Sequence, residues 1–379
     1  MINVFDEIKK NFGFGMMRLP KIGDEIDYEQ VNRMVDYFIE NGFNYFDTAH
    51  GYHSGKSEVA IGKCLTSRHS RNEYILTDKL TDIYFDSEAD IRPLFEEQLN
   101  TCGVEYFDFY LMHSQNATNF KKFKECNAYE TAFKLKEEGK IRHVGISFHD
   151  RAEVLERILT EYPQIEIVQI QLNYVDWEDH SVESKKCYEV CVKHNKPVIV
   201  MEPVKGGNLI QLPEDADKIL RDLNGGSNAS YAIRFAASHE NVRMVLSGMS
   251  NLEQLMENVE TMKDFKPLSE VELEAIQKVC NIFNSKGMIP CTACHYCTDG
   301  CPMSINIPEL FACMNKYKVF NEWNQRMYFR SLTSDGHSKP SECIECGQCE
   351  GICPQSLPII GLLKDVSKTF ETTPVDDDD

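Results

Sequence analysis

Short apolar runs alternate with longer amphipathic stretches between residues 12 and 265. The runs are rich in β-branched and aromatic residues, and the stretches between them carry apolar residues at helical spacing. This alternation is typical of a parallel sheet whose strands are joined by crossover helices. Gly42, for example, follows the first amphipathic stretch as a helix stop signal. Eight runs predict strands: FGFGMM (12–17), FNYFD (43–47), YILTDK (74–79), YFDFYLMH (106–113), IRHVGIS (141–147), IEIVQIQLN (165–173), PVIVME (197–202) and VRMVLSG (242–248).

The count of eight predicts an α/β fold of the (β/α)8 TIM-barrel type. A doubly wound sheet usually has fewer strands and a glycine-rich first turn. Past Pro267 the alternation ends, and residues 269–284 predict one capped helix. Gly287 and Pro290 then open a cysteine-rich segment, in which residues 308–332 have apolar positions at helical spacing. We therefore predict a small, partly helical domain after the barrel.

These boundaries divide the chain into four parts. The barrel is expected at 1–266, a connecting helix at 267–285, the small domain at 286–367 and an acidic tail at 368–379. The tail ends in consecutive aspartates, and a short acidic run of this kind is typical of a disordered terminus.

The charge of the chain limits the classes of molecule that we expect to bind to it. There are 60 acidic residues against 40 Lys and Arg, so the formal net charge is −20. Such a surface repels nucleic acid and anionic membranes, and we expect neither as a partner. The first residues lack the basic start and apolar run of a signal peptide, and no stretch approaches about eighteen apolar residues. We therefore expect a cytoplasmic protein.

The distribution of the 15 cysteines indicates metal binding rather than disulfides. Seven of them are scattered, and the other eight form two groups with the spacing C-x2-C-x2-C-x3-C-P. That spacing is the one of bacterial [4Fe-4S] ligands. A zinc site would use two separated pairs of thiolates and would leave the third cysteine of each group without a role. The groups are Cys291, Cys294, Cys297 and Cys301, and Cys343, Cys346, Cys349 and Cys353.

In two-cluster ferredoxins the fourth cysteine of each group ligates the other cluster. The chain here resembles the dicluster domains of the ferredoxin superfamily. Its long helical insert between the groups is closer to the α-helical ferredoxin domains of fumarate-reductase-type iron–sulfur subunits. The two clusters either relay single electrons or only stabilise a small domain. The expected crosswise sets are a first set of Cys291, Cys294, Cys297 and Cys353, and a second set of Cys343, Cys346, Cys349 and Cys301.

Four polar residues stand at or just after strand ends, where barrel enzymes place their catalytic groups. Asp47 ends the second predicted strand and Tyr52 follows it, while Lys79 and His113 end the third and fourth. In this order and placement, residues 10–265 resemble the aldo/keto reductase superfamily. Together with the cysteine groups, they resemble its iron–sulfur branch with a C-terminal dicluster domain. The resemblance implies reduction of an aldehyde or ketone by NAD(P)H.

The chemistry of these four residues agrees with that implication. A tyrosine with a pKa of about 10 is a weak acid at neutral pH, and an adjacent ammonium favours tyrosinate. We expect Tyr52 to donate the proton, Lys79 to lower its pKa, and Asp47 to hold Lys79 in place. His113 is expected to hydrogen-bond the carbonyl oxygen as negative charge develops on it.

The resemblance also implies a dinucleotide site. Ser147 and either Gln169 or Gln171 resemble the residues that bind the nicotinamide carboxamide, and the register favours Gln171. Barrels usually hold phosphate in the loops after strands seven and eight, where backbone N–H groups at a helix start can bind it. The expected contacts there are Gly206, Gly207, Asn208, Leu209, Ser250, Gln254, Glu257 and Asn258.

Two departures from the family pattern leave the choice of nucleotide open. Ser250 and Gln254 stand where members that take NADPH commonly have Arg or Lys to clamp the 2′-phosphate. Met201 stands where an aromatic side chain often stacks on nicotinamide, and Met orients a ring less well. NADP and NAD therefore both remain expected cofactors.

Three functions remain open, because hydride carries two electrons whereas each cluster carries one. The first is a reductase of small carbonyls or a dehydrogenase of alcohols that uses NAD(P)H, with clusters relaying electrons to or from a ferredoxin-like or other redox partner. The second keeps the barrel but depends on flavin or ferredoxin. The third is a non-catalytic electron-transfer subunit of a larger complex, and the intact Asp47, Tyr52, Lys79 and His113 argue against it.

Overall fold

The computed structural model describes residues 5–179, 182–320, 324–333 and 336–371. The chain divides into two compact units. The first contains the residues up to Val204 and Ala229–Ser269, and the second contains Lys205–Asn228 and the residues from Glu270 onward.

A closed barrel of eight parallel strands dominates the first unit. All eight strands predicted from the sequence are confirmed, and their ends agree within two residues. The two additional strands, β2 and β3, form an antiparallel hairpin of two residues per strand, too short for any alternation to reveal. The strands are β1 (Phe12–Gly15), β2 (Lys21–Ile22), β3 (Glu25–Ile26), β4 (Tyr45–Asp47), β5 (Ile75–Leu80), β6 (Phe107–Gln115), β7 (Ile141–Phe148), β8 (Ile167–Gln171), β9 (Val198–Met201) and β10 (Val242–Gly248).

Helices connect the barrel strands and make up most of the second unit. The first of them begins after Asp27, whose carboxylate accepts the N–H of Gln30 at 3.0 Å, and it is followed by Gly42 at a φ of +82°. No described helix is both long and apolar enough to cross a membrane. The helices are α1 (Tyr28–Glu40), α2 (Lys56–Ile61), α3 (Glu88–Cys102), α4 (Ala117–Glu125), α5 (Ala128–Glu137), α6 (Ala152–Glu161), α7 (Ser184–Lys193), α8 (Glu214–Arg221), α9 (Asn228–Ala237), α10 (Leu252–Lys263), α11 (Glu270–Ser285), α12 (Ile307–Phe320), α13 (Asn324–Leu332), α14 (Gln348–Ile352) and α15 (Ile359–Phe370).

The barrel register places the polar strand ends together. β1 pairs with both β4 and β10, and each remaining barrel strand pairs with its neighbours in chain order. Tyr45, Phe109 and Leu111 belong to a buried cluster that also includes side chains of β5, β8, β9 and β10. Asp47 lies beside Thr77 of β5. Because parallel strands end at the same side of the barrel, the residues at the ends of β4, β5 and β6 face one region.

The second unit is helical, as predicted. The predicted helix at 269–284 is α11, and the helical stretch at 308–332 is divided into α12 and α13. Its core includes Phe311, Phe329 and Phe370, and the last two rings stack at 5.0 Å. The burial of Phe370 extends α15 beyond the start of the predicted tail, so residues 368–370 are helical rather than disordered. The acidic residues 372–379 lie outside the described residues.

Candidate functional site

The four predicted catalytic residues come together at the carboxyl ends of three adjacent strands. Asp47 is the last residue of β4, and Tyr52 lies in the loop that follows. Lys79 and His113 stand near the ends of β5 and β6. Three of the four are almost completely buried and Tyr52 is half-buried. Asp47, Lys79 and His113 are therefore enclosed by the protein, and Tyr52 is partly exposed.

Lys79 and Asp47 form a buried ion pair. Lys79 Nζ donates to Asp47 Oδ1 at 2.6 Å and to the carbonyl oxygen of Thr48, also at 2.6 Å. Gln169 Nε2 donates to the other carboxylate oxygen of Asp47 at 3.4 Å. Burial raises the pKa of the Asp47 carboxyl, and the ammonium of Lys79 acts in the opposite direction. Both charged groups of this pair thus have hydrogen-bond partners within the protein, without any bound ligand.

Tyr52 lies beside both the ion pair and His113. Lys79 Nζ is 4.9 Å from the centre of the Tyr52 ring, and the rings of Tyr52 and His113 are 5.9 Å apart. Burial, followed by the charges of three carboxylates of which Asp47 is the first, raises the pKa of Tyr52 well above its usual value. Burial and the carboxylates outweigh the lowering that we expected from Lys79, whose ammonium is paired with Asp47. A tyrosine keeps its proton at neutral pH even without such a shift, so Tyr52 carries a proton that it can donate.

His113 is held as a neutral ring. Thr81 Oγ1 lies 2.7 Å from His113 Nδ1. Burial, followed by the charges of Lys79 and His149, lowers the pKa of His113 well below its usual value. If the Thr81 hydroxyl donates to Nδ1, the single ring proton is on Nε2. His113 then offers one N–H donor to a substrate oxygen. Nothing in the sequence pattern identified Thr81, two residues after Lys79, as its partner.

A buried carboxyl pair behind Lys79 was also missed. Asp78 Oδ1 accepts the backbone N–H of Lys79 at 2.8 Å. Gln98 Nε2 donates to Glu58 at 3.1 Å and to the carbonyl oxygen of Lys79 at 3.0 Å. Burial, followed by the charge of Glu58, raises the pKa of Asp78 well above its usual value. Asp78 and Gln98 thus bind the two backbone groups of Lys79, and the only sequence signal was an aspartate directly before it.

The predicted nicotinamide residues line the neighbouring strand ends. Ser147 and Gln171 are both buried, and Ser147 Oγ accepts the backbone N–H of Ser114 at 2.8 Å. Among the described residues, Nε2 of Gln171 has no partner with the geometry of a hydrogen bond. Met201 lies beside Gln171 in the strand register. A buried unsatisfied amide donor suits a carboxamide oxygen, and Gln169 is already used on Asp47, so the geometry agrees with Gln171.

The predicted phosphate contacts at the start of α10 are already engaged. Gln254 Oε1 accepts the N–H of Ser250 at 2.8 Å, and Asn251 Oδ1 accepts the N–H of Gln254 at 2.9 Å. Glu257 is exposed and Asn258 is buried. A phosphate at this helix start would have to replace these side-chain acceptors. The predicted contact residues lie close together in the fold, but the backbone N–H groups of Ser250 and Gln254 already have side-chain acceptors.

The predicted pyrophosphate loop belongs to the second unit and contacts the cysteine segment. Asn208 Nδ2 donates to the carbonyl oxygen of Cys291 at 2.8 Å. A Cβ added at Gly206 would lie 2.3 Å from the carbonyl oxygen of Thr292. Leu209 is completely buried, and Gly207 has a φ of +101°. The glycines thus permit a close approach of two backbones within this unit, which the sequence pattern could not distinguish from an approach to a nucleotide.

Four thiols of the first cysteine set lie close together. Burial raises the pKa of the Cys297 thiol, and the neighbouring Cys294, Cys291 and Cys353 add to that effect. The group thus includes the fourth cysteine of the other sequence group, as in crosswise ligation. Cys297 is buried and the other three are partly exposed. Four convergent thiolates are the donor set that holds a [4Fe-4S] cluster.

The second cysteine set lines one partly open cavity. No described group of three or more His, Cys, Asp or Glu side chains is arranged around a single metal ion. Cys346 is exposed and Cys349 is buried. Four thiol donors around one cavity match the donor set of a [4Fe-4S] cluster. The lining includes all four members of the second set: Cys301, Cys343, Cys346 and Cys349.

Comparison with protein families gives the class of this barrel protein. The aldo/keto reductase family matches residues 11–281, which is more than half of the chain. The protein therefore belongs to the aldo/keto reductase family. A 4Fe-4S dicluster domain matches residues 290–357. The predicted family, fold and dicluster domain are confirmed.

Individual relatives agree with this assignment. An uncharacterized oxidoreductase of Bacillus subtilis is 26% identical over 279 residues, which cover 64% of this chain and 85% of that protein. The holo form of an aldo-keto reductase from Bacillus halodurans has 27% identity and a TM-score of 0.58, and the match covers 71% of this chain and 91% of that one. An aldo-keto reductase from Klebsiella pneumoniae, solved with NADPH, has 20% identity over 71% of this chain and 90% of that one, with a TM-score of 0.58. The last likeness shows the fold alone.

Proposed function

We propose that this protein interconverts an aldehyde or ketone and its alcohol with NAD(P)H, and that two [4Fe-4S] clusters relay electrons to or from a ferredoxin-like or other redox partner. The observation that carries the proposal is the meeting of Asp47, Tyr52, Lys79 and His113 at one end of the barrel. The family and dicluster matches support the oxidoreductase class.

The residues of the tetrad handle the carbonyl oxygen and its proton. A bound reduced nicotinamide supplies the hydride. Tyr52 carries its proton at neutral pH and donates it to the oxygen as negative charge develops there. His113, neutral because burial lowers its pKa, donates a hydrogen bond to the same oxygen. Lys79 is held by Asp47 close to the Tyr52 ring, where its charge stabilises the tyrosinate that proton transfer leaves behind.

The nucleotide is positioned by groups at the ends of β7 and β8. The amide donor of Gln171 binds the nicotinamide carboxamide oxygen, and Ser147 stands on the adjacent strand. A 2′-phosphate is best held by a guanidinium or ammonium group, and neither Ser250 nor Gln254 supplies one. This composition favours NADH over NADPH.

The two cysteine sets hold one cluster each, in the crosswise pattern. The first set is supported by the electrostatic proximity of its four thiols, and the second by the shared cavity. Each cluster supplies one-electron chemistry when bound. The exposed Cys346 belongs to the second set, so we assign contact with a redox partner to that set.

A second candidate is a reductase fed by ferredoxin or flavin without nicotinamide. It is favoured by one observation: the side-chain amide of Asn208, in the loop expected to bind pyrophosphate, donates instead to the carbonyl oxygens of Cys291 and Lys205. Such an enzyme would turn over with a reduced one-electron donor alone.

Anaerobic titration of the cluster-replete protein distinguishes these candidates. NADH, and then NADPH, is added while the cluster absorbance and the electron paramagnetic resonance (EPR) signals are recorded, and a panel of aldehydes and ketones is then supplied. We expect the nucleotide to reduce the clusters and a carbonyl to reoxidise them. Clusters that stay oxidised with tightly bound nucleotide would refute the relay. Turnover with reduced ferredoxin but with neither nucleotide would establish the second candidate.

A further inference from the structure

His149 is a titratable side chain at the barrel site that the proposed mechanism does not use. It directly follows β7, and its backbone N–H donates at 2.9 Å to the carbonyl oxygen of Gln115, the last residue of β6. Its ring lies within electrostatic reach of Lys79, and it helps to lower the pKa of His113. His149 is therefore a second imidazole at the end of the barrel that holds the tetrad.

The strand register brings His149 next to Gln171. β7 and β8 pair in parallel with Phe148 opposite Ile170, and the next residues along the two chains are His149 and Gln171. Residues opposite each other on neighbouring strands have side chains on the same face of the sheet. Burial lowers the pKa of His149 to about 4, and a hydrogen bond with the side chain of Gln171 acts in the opposite direction. The two side chains are therefore in contact, and the imidazole is neutral at neutral pH.

The atoms that form this contact follow from those that do not. Nδ1 of His149 and Nε2 of Gln171 are buried, and neither has a well-formed hydrogen bond among the described residues. The polar atoms left for the contact are Nε2 of His149 and Oε1 of Gln171. A neutral imidazole carries a proton on one nitrogen only, and a proton on Nε2 can be donated to Oε1. The amide N–H of Gln171 is then left for a ligand.

A glutamine without such a contact would hold a ligand poorly. Its amide can turn over, which exchanges the donor Nε2 with the acceptor Oε1. The carboxamide oxygen of a nicotinamide needs the donor, so only one of these two orientations binds it. Fixing that orientation before the ligand arrives reduces the entropy that binding costs. His149 stands at the end of a barrel strand, where its backbone is held by Gln115, and it can supply this restraint.

We propose that His149 is a positioning residue for the nicotinamide: its Nε2–H holds Oε1 of Gln171, so that the amide N–H of Gln171 faces the carboxamide oxygen of the nucleotide. His149 takes no part in the transfer of the proton or the hydride. This inference rests on the proposed use of NAD(P)H. The sequence gives no signal of the role beyond a histidine two residues after Ser147.

The test is an anaerobic binding titration of full-length protein with NADH, NADPH and ADP-ribose, which lacks the nicotinamide. Dithionite is added first, so that the nucleotides transfer no electrons to the protein during the titration. His149→Phe keeps an aromatic ring but has no N–H, and it should raise the Kd of the preferred nucleotide by up to about tenfold, the equivalent of one good hydrogen bond. The Kd of ADP-ribose should not change. His149→Gln has an amide N–H in place of the imidazole donor and should bind the nucleotide nearly as the wild type does.

A double variant shows whether His149 acts through Gln171. If it does, His149→Phe combined with Gln171→Leu should have the Kd of Gln171→Leu alone. The inference is wrong, while the proposed cofactor stands, if the two effects multiply or if His149→Phe binds the nucleotide as tightly as the wild type. It is also wrong if His149→Phe weakens ADP-ribose equally, which would indicate a general loosening of the barrel, or if His149→Gln is as weak as His149→Phe. A wild type that binds neither NADH nor NADPH would overturn the proposed function and this inference with it.

Discussion

The barrel site and the cysteine sites are built in different ways. In the barrel, Asp47 and Lys79 stand on adjacent strands and satisfy each other at 2.6 Å. In the second unit, the four thiols of the first set face one another, and burial already raises the pKa of Cys297. Ionising all four thiols would place like charges together. The barrel site is therefore complete on folding, whereas the cysteine sites would gain their stability from bound clusters.

The largest effect is expected from removing a cysteine of the crosswise pattern. Cys353→Ala should lose about half of the iron, because only the cluster of the first set is affected. Iron and sulfide analysis with EPR will measure this. Cys313→Ala is the matched control, since that buried cysteine donates to the carbonyl oxygen of Gln325 and belongs to neither set. If Cys353→Ala and Cys346→Ala remove the same EPR signal, ligation is not crosswise.

The next effect should be confined to the barrel chemistry. Tyr52→Phe removes the proton donor and should lower the rate of carbonyl reduction about 10²–10⁴-fold while leaving the iron content unchanged. Tyr106→Phe is the control, because Tyr106 directly precedes β6, at the barrel end opposite to His113, and its hydroxyl contacts Arg142. Equal rates for Tyr52→Phe and the wild type would exclude Tyr52 as the acid.

Asp47→Asn tests whether the charges of Asp47 and Lys79 compensate each other within the barrel. It leaves the ammonium of Lys79 buried and unpaired, so the free energy of unfolding should fall by about 3–5 kcal/mol. Adding Lys79→Met should recover part of the loss. The exposed pair Lys56–Glu25 is the control, and its removal should lower the free energy of unfolding far less, because water screens exposed charges. Denaturant titration of the barrel transition measures the free energy of unfolding of all three variants. If the double variant recovers no stability, the charges of Asp47 and Lys79 do not compensate each other.

Acid should weaken the barrel more than the second unit. Burial lowers the pKa of His149 to about 4, below the 6.5 of an unfolded histidine. Between these values the unfolded chain binds more protons, so stability falls as pH falls, with a slope of up to about 1.4 kcal/mol per pH unit. His149→Gln should flatten that slope in denaturant titrations at several pH values. The described histidines of the second unit, His295 and His337, are exposed. An unchanged slope in His149→Gln would show that His149 does not cause the loss of stability in acid.

The smallest effect concerns the nicotinamide side. Gln171→Leu removes a buried amide whose Nε2 has no well-formed hydrogen bond among the described residues, and it should raise the Kd of NADH about tenfold, the equivalent of one good hydrogen bond. Gln169→Leu should change nucleotide binding much less, because that amide is used on Asp47. Calorimetric titration of both variants with NADH measures the two Kd values. If Gln169→Leu weakens binding more than Gln171→Leu does, Gln169 is the residue that contacts the nicotinamide carboxamide.

Much of the architecture follows from local pattern. The eight strands could be predicted because apolar, β-branched runs repeat between amphipathic helices, and the barrel closes as the count requires. The order of Asp47, Tyr52, Lys79 and His113 placed them at strand ends, where parallel strands bring them together. The spacing of the cysteines likewise predicted two groups of ligands. In each case the chemistry is encoded by residues close to one another in sequence or by a regular repeat.

Tertiary structure decided what depends on contacts between distant residues. The sequence placed a lysine near Tyr52, but only the fold shows that burial, followed by the charges of nearby carboxylates, raises the pKa of the tyrosine. A glycine pair after β9 was compatible with a nucleotide loop, yet in the fold Gly206 lies against Thr292. Electrostatics and close packing act through space, so residues far apart in sequence set them. The chain's pattern determined its elements and its reactive groups, and the fold determined the charge and the neighbours that each group has.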